Sequence, residues 1–392
     1  MILLIAVISA LLISLLSLKF FPAFLSAPFV LIALLWFPVS LYAALLTKKS
    51  AIRTVLINIA LIILCLGLFE TYFWLKPKPR SHEEGVRTMM AHSNPEAKTF
   101  TGPDDILGYA PHKDNKTSVK KYWEDEMIFY ATYTIDCDGL RLSPPWEKTK
   151  NTSSILFFGC SVTFGEGVED YETMPYKVGI ACSRKYRIYN FGFVGYGTHQ
   201  MLSAIEHGLV DKIVGVRPVC AIYQAIPDHI NRLLGLNPWG RRGPRYVLGE
   251  DNRVKYVGFF DDVNDRNYIL RKIENQLNKS YLYKRISRII KRINDDDIEL
   301  FIAMVARSKE LLEQQYPGIA FHVILWDHKG KLTGKVREAL KREGISTHLI
   351  SNILPEFQED KPKYRINPHD WHPNVSAHEL IGEYVVHTIL RQ

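Results

Sequence analysis

The first 76 residues are dominated by long apolar runs. Residues 2–18, 28–46 and 54–74 form three such runs, and Glu70 is the one acidic residue among them. Each run has about the 17 to 25 residues that a helix needs to cross the hydrocarbon of a bilayer. A cleaved signal peptide explains the first run poorly, because no charged segment precedes it and further apolar runs follow. The pattern predicts about three transmembrane helices within residues 1–76; a signal segment followed by two helices is the alternative.

Basic residues in the short connections bear on the orientation. Three lysines and arginines lie between the second and third runs, in residues 48–53, and favour a cytoplasmic position for that loop. The large C-terminal part would then lie outside the cytoplasm. A second basic cluster, in residues 76–87, argues for the opposite orientation by the same rule. Following the basic residues at 48–53, we predict a multi-pass membrane protein whose large domain is periplasmic or extracellular.

The pattern changes after residue 100. A proline-broken polar linker at 77–100 leads into a β-rich segment at 101–150, where residues 130–135 and the turn at 136–139 predict a β-hairpin. From residue 151 to 392, β-rich runs alternate with helical stretches, and a long insertion occupies about 230–317. The runs are residues 155–158, 187–191, 219–223, 320–326 and 345–350. This alternation predicts an α/β domain with a parallel sheet, whose chemistry gathers at the carboxyl ends of the strands.

Composition and charge narrow the class of protein. The 392 residues are 47% hydrophobic, which excludes a mainly disordered chain. Half of the formal charge of +8 belongs to residues 1–76, and the remaining +4 is spread over 316 residues. That balance does not indicate a nucleic-acid partner. The five cysteines include no CxxC pair and no metal-ligand spacing, so the sequence implies neither a metal nor an organic cofactor.

A glycine-bounded turn, GCSVTFGEG, follows the first predicted strand and presents Ser161 as a candidate nucleophile. A phosphate-binding loop would need GxGxxG or GK[ST], and Glu166 would repel phosphate. The nucleophile elbow of α/β-hydrolases requires GxSxG, which fails because Thr163 occupies the last glycine position. A purely structural turn remains open for this segment taken alone.

The C-terminal segment DWHPN supplies the partners that a reactive serine requires. A serine hydroxyl becomes nucleophilic when an imidazole accepts its proton and a carboxylate holds that imidazole in the correct tautomer. His372 is the candidate base and Asp370 the carboxylate that orients it. His369 and His378 are alternative bases.

These segments resemble a known superfamily. The segments FFGCSVTFGEG, YNFGFVGYGTHQ and DWHPNVSAH are similar to the first, second and last sequence blocks of the SGNH/GDSL hydrolases, over about residues 151–392. The resemblance implies a flavodoxin-like three-layer α/β/α domain and acyl-ester chemistry through a serine. The segments LGY and IDCDGLR resemble the lead-in of membrane-anchored bacterial members, which implies the bacterial inner membrane. The DxH spacing resembles the branch that O-acetylates polysaccharides.

The resemblance also implies an oxyanion hole. The backbone N–H of Ser161 would be the first donor and that of Gly195 the second. The block that normally supplies an asparagine reads AIPDH here, which places Asp228 and His229 at the substrate-binding position. His229 or His199 could replace the missing amide, although each is individually more typical of a structural histidine.

Three functions are consistent with these features. The first is a serine hydrolase that removes O-acetyl or other O-acyl groups from a cell-envelope carbohydrate. The second is an O-acyltransferase of an envelope polysaccharide, which would need a separate acyl-donor membrane partner because three helices are too few to carry the donor. The third is a catalytically silent glycan-binding protein that retains the fold. All three have the lipid bilayer and a carbohydrate as partners.

Overall fold

The computed structural model describes residues 28–75, 85–93, 99–147, 152–235, 238–262, 277, 280, 282–283, 293–327 and 331–391. The chain divides into two compact units. One comprises Met1–Pro79 and Val263–Arg292, and the other comprises Arg80–Asp262 and Ile293–Gln392. The first predicted membrane span, residues 2–18, lies outside the described residues.

The first unit contains two helices that pack against each other, α1 (Pro28–Leu46) and α2 (Ser50–Leu75). Within α2, Ser50–Phe73 is long and apolar enough to cross a membrane. The apolar part of α1 whose side chains are described, Leu35–Leu46, is shorter. Among the described residues, one helix rather than about three therefore meets the requirement for a membrane span.

A buried carboxylate joins part of the predicted insertion to α2. The side chain of Glu70 is fully buried and accepts hydrogen bonds from Ser280 Oγ at 2.7 Å and from the backbone N–H of Leu282 at 2.8 Å. A carboxylate removed from water needs such donors. These bonds account for the acidic residue in an otherwise apolar helix.

The second unit contains fourteen described strands, which form one large sheet and several small ones. They are β1 (Val86–His92), β2 (Thr101–Asp104), β3 (Gly108–Pro111), β4 (Asn115–Trp123), β5 (Glu126–Ile135), β6 (Ser153–Phe158), β7 (Tyr186–Asn190), β8 (Pro218–Ala225), β9 (Pro244–Leu248), β10 (Val254–Phe259), β11 (Ala320–Leu325), β12 (Ser346–Leu349), β13 (Arg365–Asn367) and β14 (Asp370–Pro373).

The described α-helices of this unit follow the strands closely along the chain. They are α3 (Ser161–Phe164), α4 (Met174–Ala181), α5 (Thr198–Glu206), α6 (Leu209–Ile213), α7 (Asp228–Leu233), α8 (Asp295–Gln315), α9 (Lys331–Arg342), α10 (Ile350–Ile353) and α11 (Val375–Tyr384).

The large sheet has the order β12-β11-β8-β6-β7, and all of its strand pairs are parallel. Successive side chains of a strand point to opposite faces. Leu156 and Phe158 accordingly join one apolar cluster with α8, while Ile155 and Phe157 join a second cluster with α4 and α11. Helices thus cover both faces of the sheet. The predicted α/β class and its five strands are confirmed.

The order of the strands determines where a site can form. From β6 the chain moves to β7 on one side, and β8 then lies on the other side of β6. Such a reversal leaves a crevice beyond the carboxyl ends of the two adjacent strands. Ser161 follows the end of β6, and Asp228 and His229 follow the end of β8.

Two strands of the lead-in, β4 and β5, form a three-stranded antiparallel sheet with β1, in the order β1-β4-β5. Because β1 lies within residues 77–100, the prediction that this whole segment is a linker is wrong. Arg141, which follows this sheet, is 1% exposed, and its Nε donates to Asp170 Oδ1 at 2.7 Å. Its other nitrogens donate to the carbonyls of Phe164, Gly165 and Val168. Arg141 thereby fastens the lead-in to the loop that follows Ser161.

The predicted insertion at about 230–317 is divided between the two compact units. The β9–β10 hairpin and α8 belong to the unit of the large sheet, where α8 packs against α5. The intervening Val263–Arg292 belongs to the same unit as α1 and α2.

Candidate active site

Ser161 is placed by a tight backbone arrangement at the end of β6. Gly159 has a φ of +151°, and a Cβ there would lie 2.1 Å from Thr163 Oγ1. No side chain fits at that distance, so the turn requires glycine. Ser161 is the first residue of α3 and is 4% exposed. Thr163, which breaks the α/β-hydrolase motif, is thus the residue that packs directly against Gly159 in this turn.

The triad predicted from sequence comes together in space. His372 Nε2 lies 2.8 Å from Ser161 Oγ, and His372 Nδ1 lies 2.6 Å from Asp370 Oδ1. Asp370 Oδ1 also accepts the backbone N–H of His372 at 3.0 Å, which fixes the carboxylate against the ring. Asn374 accepts the N–H of Ala377 at 3.0 Å and caps α11, so the short β14 is held next to the core.

The two alternative histidines lie in other surroundings. The ring of His369 stacks on Trp123 with a centroid distance of 4.4 Å. His378 Nδ1 accepts the backbone N–H of Met174 at 3.2 Å, and burial lowers the pKa of this ring to about 3. His378 therefore has a structural role at the start of α4.

Sequence reasoning missed Lys121, which lies on β4 of the lead-in sheet. Its Nζ donates to Asp370 Oδ2 at 2.7 Å and to Glu166 Oε1 at 3.2 Å. The other oxygen of Glu166, Oε2, lies 3.4 Å from His372 Nε2. Two carboxylates therefore flank the imidazole, and one ammonium group bridges them.

This arrangement determines the protonation of the site. Burial opposes the ionised form of Asp370, but the hydrogen bond and charge of His372, followed by those of Lys121, hold its pKa well below the usual range. Burial disfavours the imidazolium form of His372, yet the negative charge of Glu166, followed by Asp370, raises its pKa, while Lys121 lowers it. Lys121 thus offsets part of the effect of the two carboxylates.

The two carboxylates and the imidazole also lie close enough together to be metal ligands. Glu166, Asp370 and His372 offer ligand atoms that lie within 4.8 Å of one another. A cation bound to both carboxylates would have to displace the Lys121 ammonium, which already bridges them. The described residues thus place a side-chain cation where a metal ion would otherwise compensate the charge.

Gly195 and His229, both predicted to contribute to the oxyanion hole, have different surroundings. Gly195 has a φ of +79°, and a Cβ there would lie 2.5 Å from the hydroxyl of Tyr109, so only glycine allows this close approach. His229 is fully buried, and its Nδ1 lies 2.6 Å from Tyr223 Oη, which in turn lies 2.8 Å from Thr198 Oγ1. Among the described residues, His229 Nε2 has no hydrogen-bond partner.

The two other residues predicted near the oxyanion hole are Asp228, which is ion-paired, and His199, which is buried. Asp228 accepts from Arg232 Nε at 2.9 Å and from Asn231 Nδ2 at 3.2 Å, so its charge is compensated locally. Both ring nitrogens of His199 are buried without a partner among the described residues, and burial lowers its pKa to about 3. His199 therefore stays neutral at physiological pH.

The chain was compared with known proteins. No family model and no curated protein matches it. Several solved structures are similar at low identity. A putative lipolytic protein of the G-D-S-L family from Desulfitobacterium hafniense DCB-2 is 12% identical with a TM-score of 0.31, over 60% of this chain and 98% of that one. An acetyl xylan esterase, Est2A, from the rumen bacterium Butyrivibrio proteoclasticus is 12% identical with a TM-score of 0.35, over 70% of this chain and 74% of that one.

A third similar structure is a carbohydrate esterase family 2 enzyme with a carbohydrate-binding domain from Corynascus thermopiles (Myceliophthora fergusii). It is 13% identical with a TM-score of 0.34, over 78% of this chain and 88% of that one. The neighbours are lipolytic proteins and carbohydrate esterases.

Proposed function

We propose that this protein is a serine-dependent acyl-ester hydrolase of the SGNH/GDSL type that removes O-acetyl or other O-acyl groups from a cell-envelope carbohydrate. The proposal is supported above all by the continuous chain of hydrogen bonds from Asp370 through His372 to Ser161, with distances of 2.6 and 2.8 Å. Three side chains of these types in this geometry form an activated nucleophile.

In the first half-reaction, Ser161 Oγ attacks the carbonyl carbon of the ester while His372 Nε2 accepts the hydroxyl proton. The oxyanion would accept hydrogen bonds from the backbone N–H groups of Ser161 and Gly195, since preorganised donors each contribute about 3 kcal/mol. His229 Nε2–H is the proposed third donor. The intermediate then collapses, the sugar oxygen leaves with the proton from His372, and the acyl group remains on Ser161.

In the second half-reaction, a water molecule gives one proton to His372 and attacks the acyl carbon. Collapse releases the carboxylic acid and returns the proton to Ser161. Asp370 remains ionised throughout and stabilises the imidazolium that forms twice. The low pKa of Asp370 is consistent with this role.

We further propose that the protein is a multi-pass protein of the bacterial inner membrane with a periplasmic or extracellular enzyme domain. The long apolar helix within α2 supports an anchor. An anchor also favours a second candidate function, O-acyl transfer, in which a sugar hydroxyl replaces water and a separate membrane partner donates the acyl group. Glycan analysis separates the two functions, because deletion of an esterase raises polymer acetate and deletion of a transferase lowers it.

Intact-mass measurement after treatment with a fluorophosphonate probe tests the activated serine. We expect one adduct on the wild-type chain and none on Ser161→Ala. A folded wild-type protein that forms no adduct would contradict the proposal and favour a catalytically silent glycan-binding protein.

A further inference from the structure

The unit of the large sheet contains a cavity of about 330 Å³. Its volume is at the lower end of the roughly 300–1,000 Å³ that is usual for small-molecule sites. The cavity is bounded by Asp228, after the end of β8, and by Trp371, between the two C-terminal residues of the triad. The rings of Trp371 and His372 stack at a centroid distance of 4.6 Å, so Trp371 contacts the imidazole that lies next to Ser161 and also lines the cavity.

The walls of this cavity are largely aromatic. Trp371 is 43% exposed, whereas its neighbours Asp370 and His372 are 3% and 7% exposed. This alternation follows from the strand geometry of β14, which turns the two triad residues inward and the indole outward. Trp326 and Tyr364 also line the cavity and are nearly buried. A flat ligand with apolar C–H faces, such as a pyranose ring, fits between walls of this kind.

The charged residues that line the cavity indicate which kind of sugar it would bind. Lys361 and Arg365 both line the cavity, and Asp228 is the one carboxylate among its described lining residues. Asp228 is paired with Arg232 at 2.9 Å, so its charge is already compensated. The planar fork of an arginine matches a carboxylate in two parallel hydrogen bonds. The cavity therefore complements a sugar that carries a carboxylate.

We propose that this cavity is a subsite for a uronic-acid unit of the glycan. The pyranose face would stack on Trp371, and the sugar carboxylate would bind Lys361 and Arg365. This subsite rests on the proposed function, since the ester would be carried by the bound unit or by a neighbouring unit of the glycan that reaches Ser161. Binding itself requires no reaction, so the subsite can be tested separately from catalysis.

The test uses the full chain with Ser161→Ala in lipid nanodiscs, and calorimetric titration with two matched pairs of tetrasaccharides. The pairs are β-1,4-linked tetraglucuronate with cellotetraose, and α-1,4-linked tetragalacturonate with its neutral galactose counterpart. We expect at least one uronate to bind about tenfold more tightly than its neutral match or better, a preference of about 1.4 kcal/mol. Added salt should reduce this preference, because ions screen exposed charges.

Substitutions then locate the binding. The pair Lys361→Gln and Arg365→Gln should abolish the preference for the uronate, and Trp371→Ala should weaken the binding of uronates and neutral sugars alike. The matched pair Arg337→Gln and Lys341→Gln, on the exposed face of α9, should leave the preference unchanged. Failure of both uronates to bind, or a preference that survives loss of Lys361 and Arg365, would overturn the subsite. A wild-type protein that forms no fluorophosphonate adduct but binds the uronate would overturn the hydrolase and leave the subsite intact.

Discussion

Replacing Glu166 by glutamine should extend activity to lower pH. His372 must be neutral to accept the Ser161 proton, so activity falls as the pH drops through the pKa of this imidazole. Glu166 favours the imidazolium form and thereby raises that pKa. Its removal lowers the pKa, and a larger share of the enzyme then remains active in acid.

The size of the effect follows from the 3.4 Å between Glu166 Oε2 and His372 Nε2. Two unit charges at this separation interact by about 1.2 kcal/mol in water-like surroundings and about 5 kcal/mol at an effective dielectric constant of 20. Glu166 is partly exposed and also paired with Lys121, which favours the lower value. Since about 1.36 kcal/mol corresponds to a factor of ten, activity on the acidic limb should rise about eightfold relative to the plateau.

The assay is kcat/KM for a small neutral ester, 4-nitrophenyl acetate, from about pH 5 to about pH 9, because this quantity reports the ionisation of the free enzyme. Lys121→Met should have the opposite effect, since the loss of its charge leaves two carboxylates beside His372. Glu343→Gln, an exposed change on the same unit, serves as the control. An unchanged acidic limb in Glu166→Gln, or shifts of the same sign in both variants, would refute the assigned electrostatics.

Three further predictions concern the parts that hold the site together. Asp370→Asn should reduce kcat roughly ten-thousand-fold, because the amide stabilises the wrong tautomer of His372; steady-state kinetics on the same ester, with circular dichroism to show folding, checks this. Arg141→Met should lower the free energy of unfolding of the unit that contains the large sheet by about 3–5 kcal/mol, because Asp170 loses its ion-pair partner. Denaturant titration measures this loss, and the exposed control Arg337→Met should have a free energy of unfolding close to that of the wild type. Gly159→Ala should abolish the fluorophosphonate adduct, because its Cβ would lie 2.1 Å from Thr163 Oγ1, whereas Gly334→Ala, with nothing within 4 Å, should leave the adduct unchanged.

The large sheet could be predicted from sequence for a physical reason. A parallel strand covered by helices on both faces is apolar at nearly every position, as residues 155–158 are, and such runs stand out between helical stretches. The lead-in was harder to predict. Residues 130–135 do form a strand, and one antiparallel bridge joins Ile135 to Arg141 across the predicted turn at 136–139, but the main partner of β5 is β4, which it meets through a turn at Glu124 and Asp125. Short antiparallel pairings of this kind depend on a register that single-sequence patterns do not fix.

In the candidate site, too, some residues could be predicted from sequence and others could not. Ser161, Asp370 and His372 could be selected together because the chemistry of each calls for the other two, and the structure brings them within hydrogen-bonding distance. Their catalytic roles remain predictions. The sequence did not indicate a role for Lys121 in the site, because two adjacent lysines, Lys120 and Lys121, on a strand are typical of a solvent-exposed surface. Its partner Asp370 is 249 positions away, and only the packing of the lead-in sheet brings them together.

The lead-in sheet is therefore part of the candidate site rather than only a connection between α2 and the large sheet. Lys121 supplies the cation that bridges Asp370 and Glu166, and Arg141 fixes the carbonyls of the loop that follows Ser161. A buried carboxylate that loses a nearby cation becomes costlier to ionise. If the lead-in moved away, Asp370 would lose its bridging ammonium and the loop would lose its clamp at the same time. The proposed reactivity of Ser161 is thus coupled to the packing of a segment that lies between Ser161 and α2 in the chain.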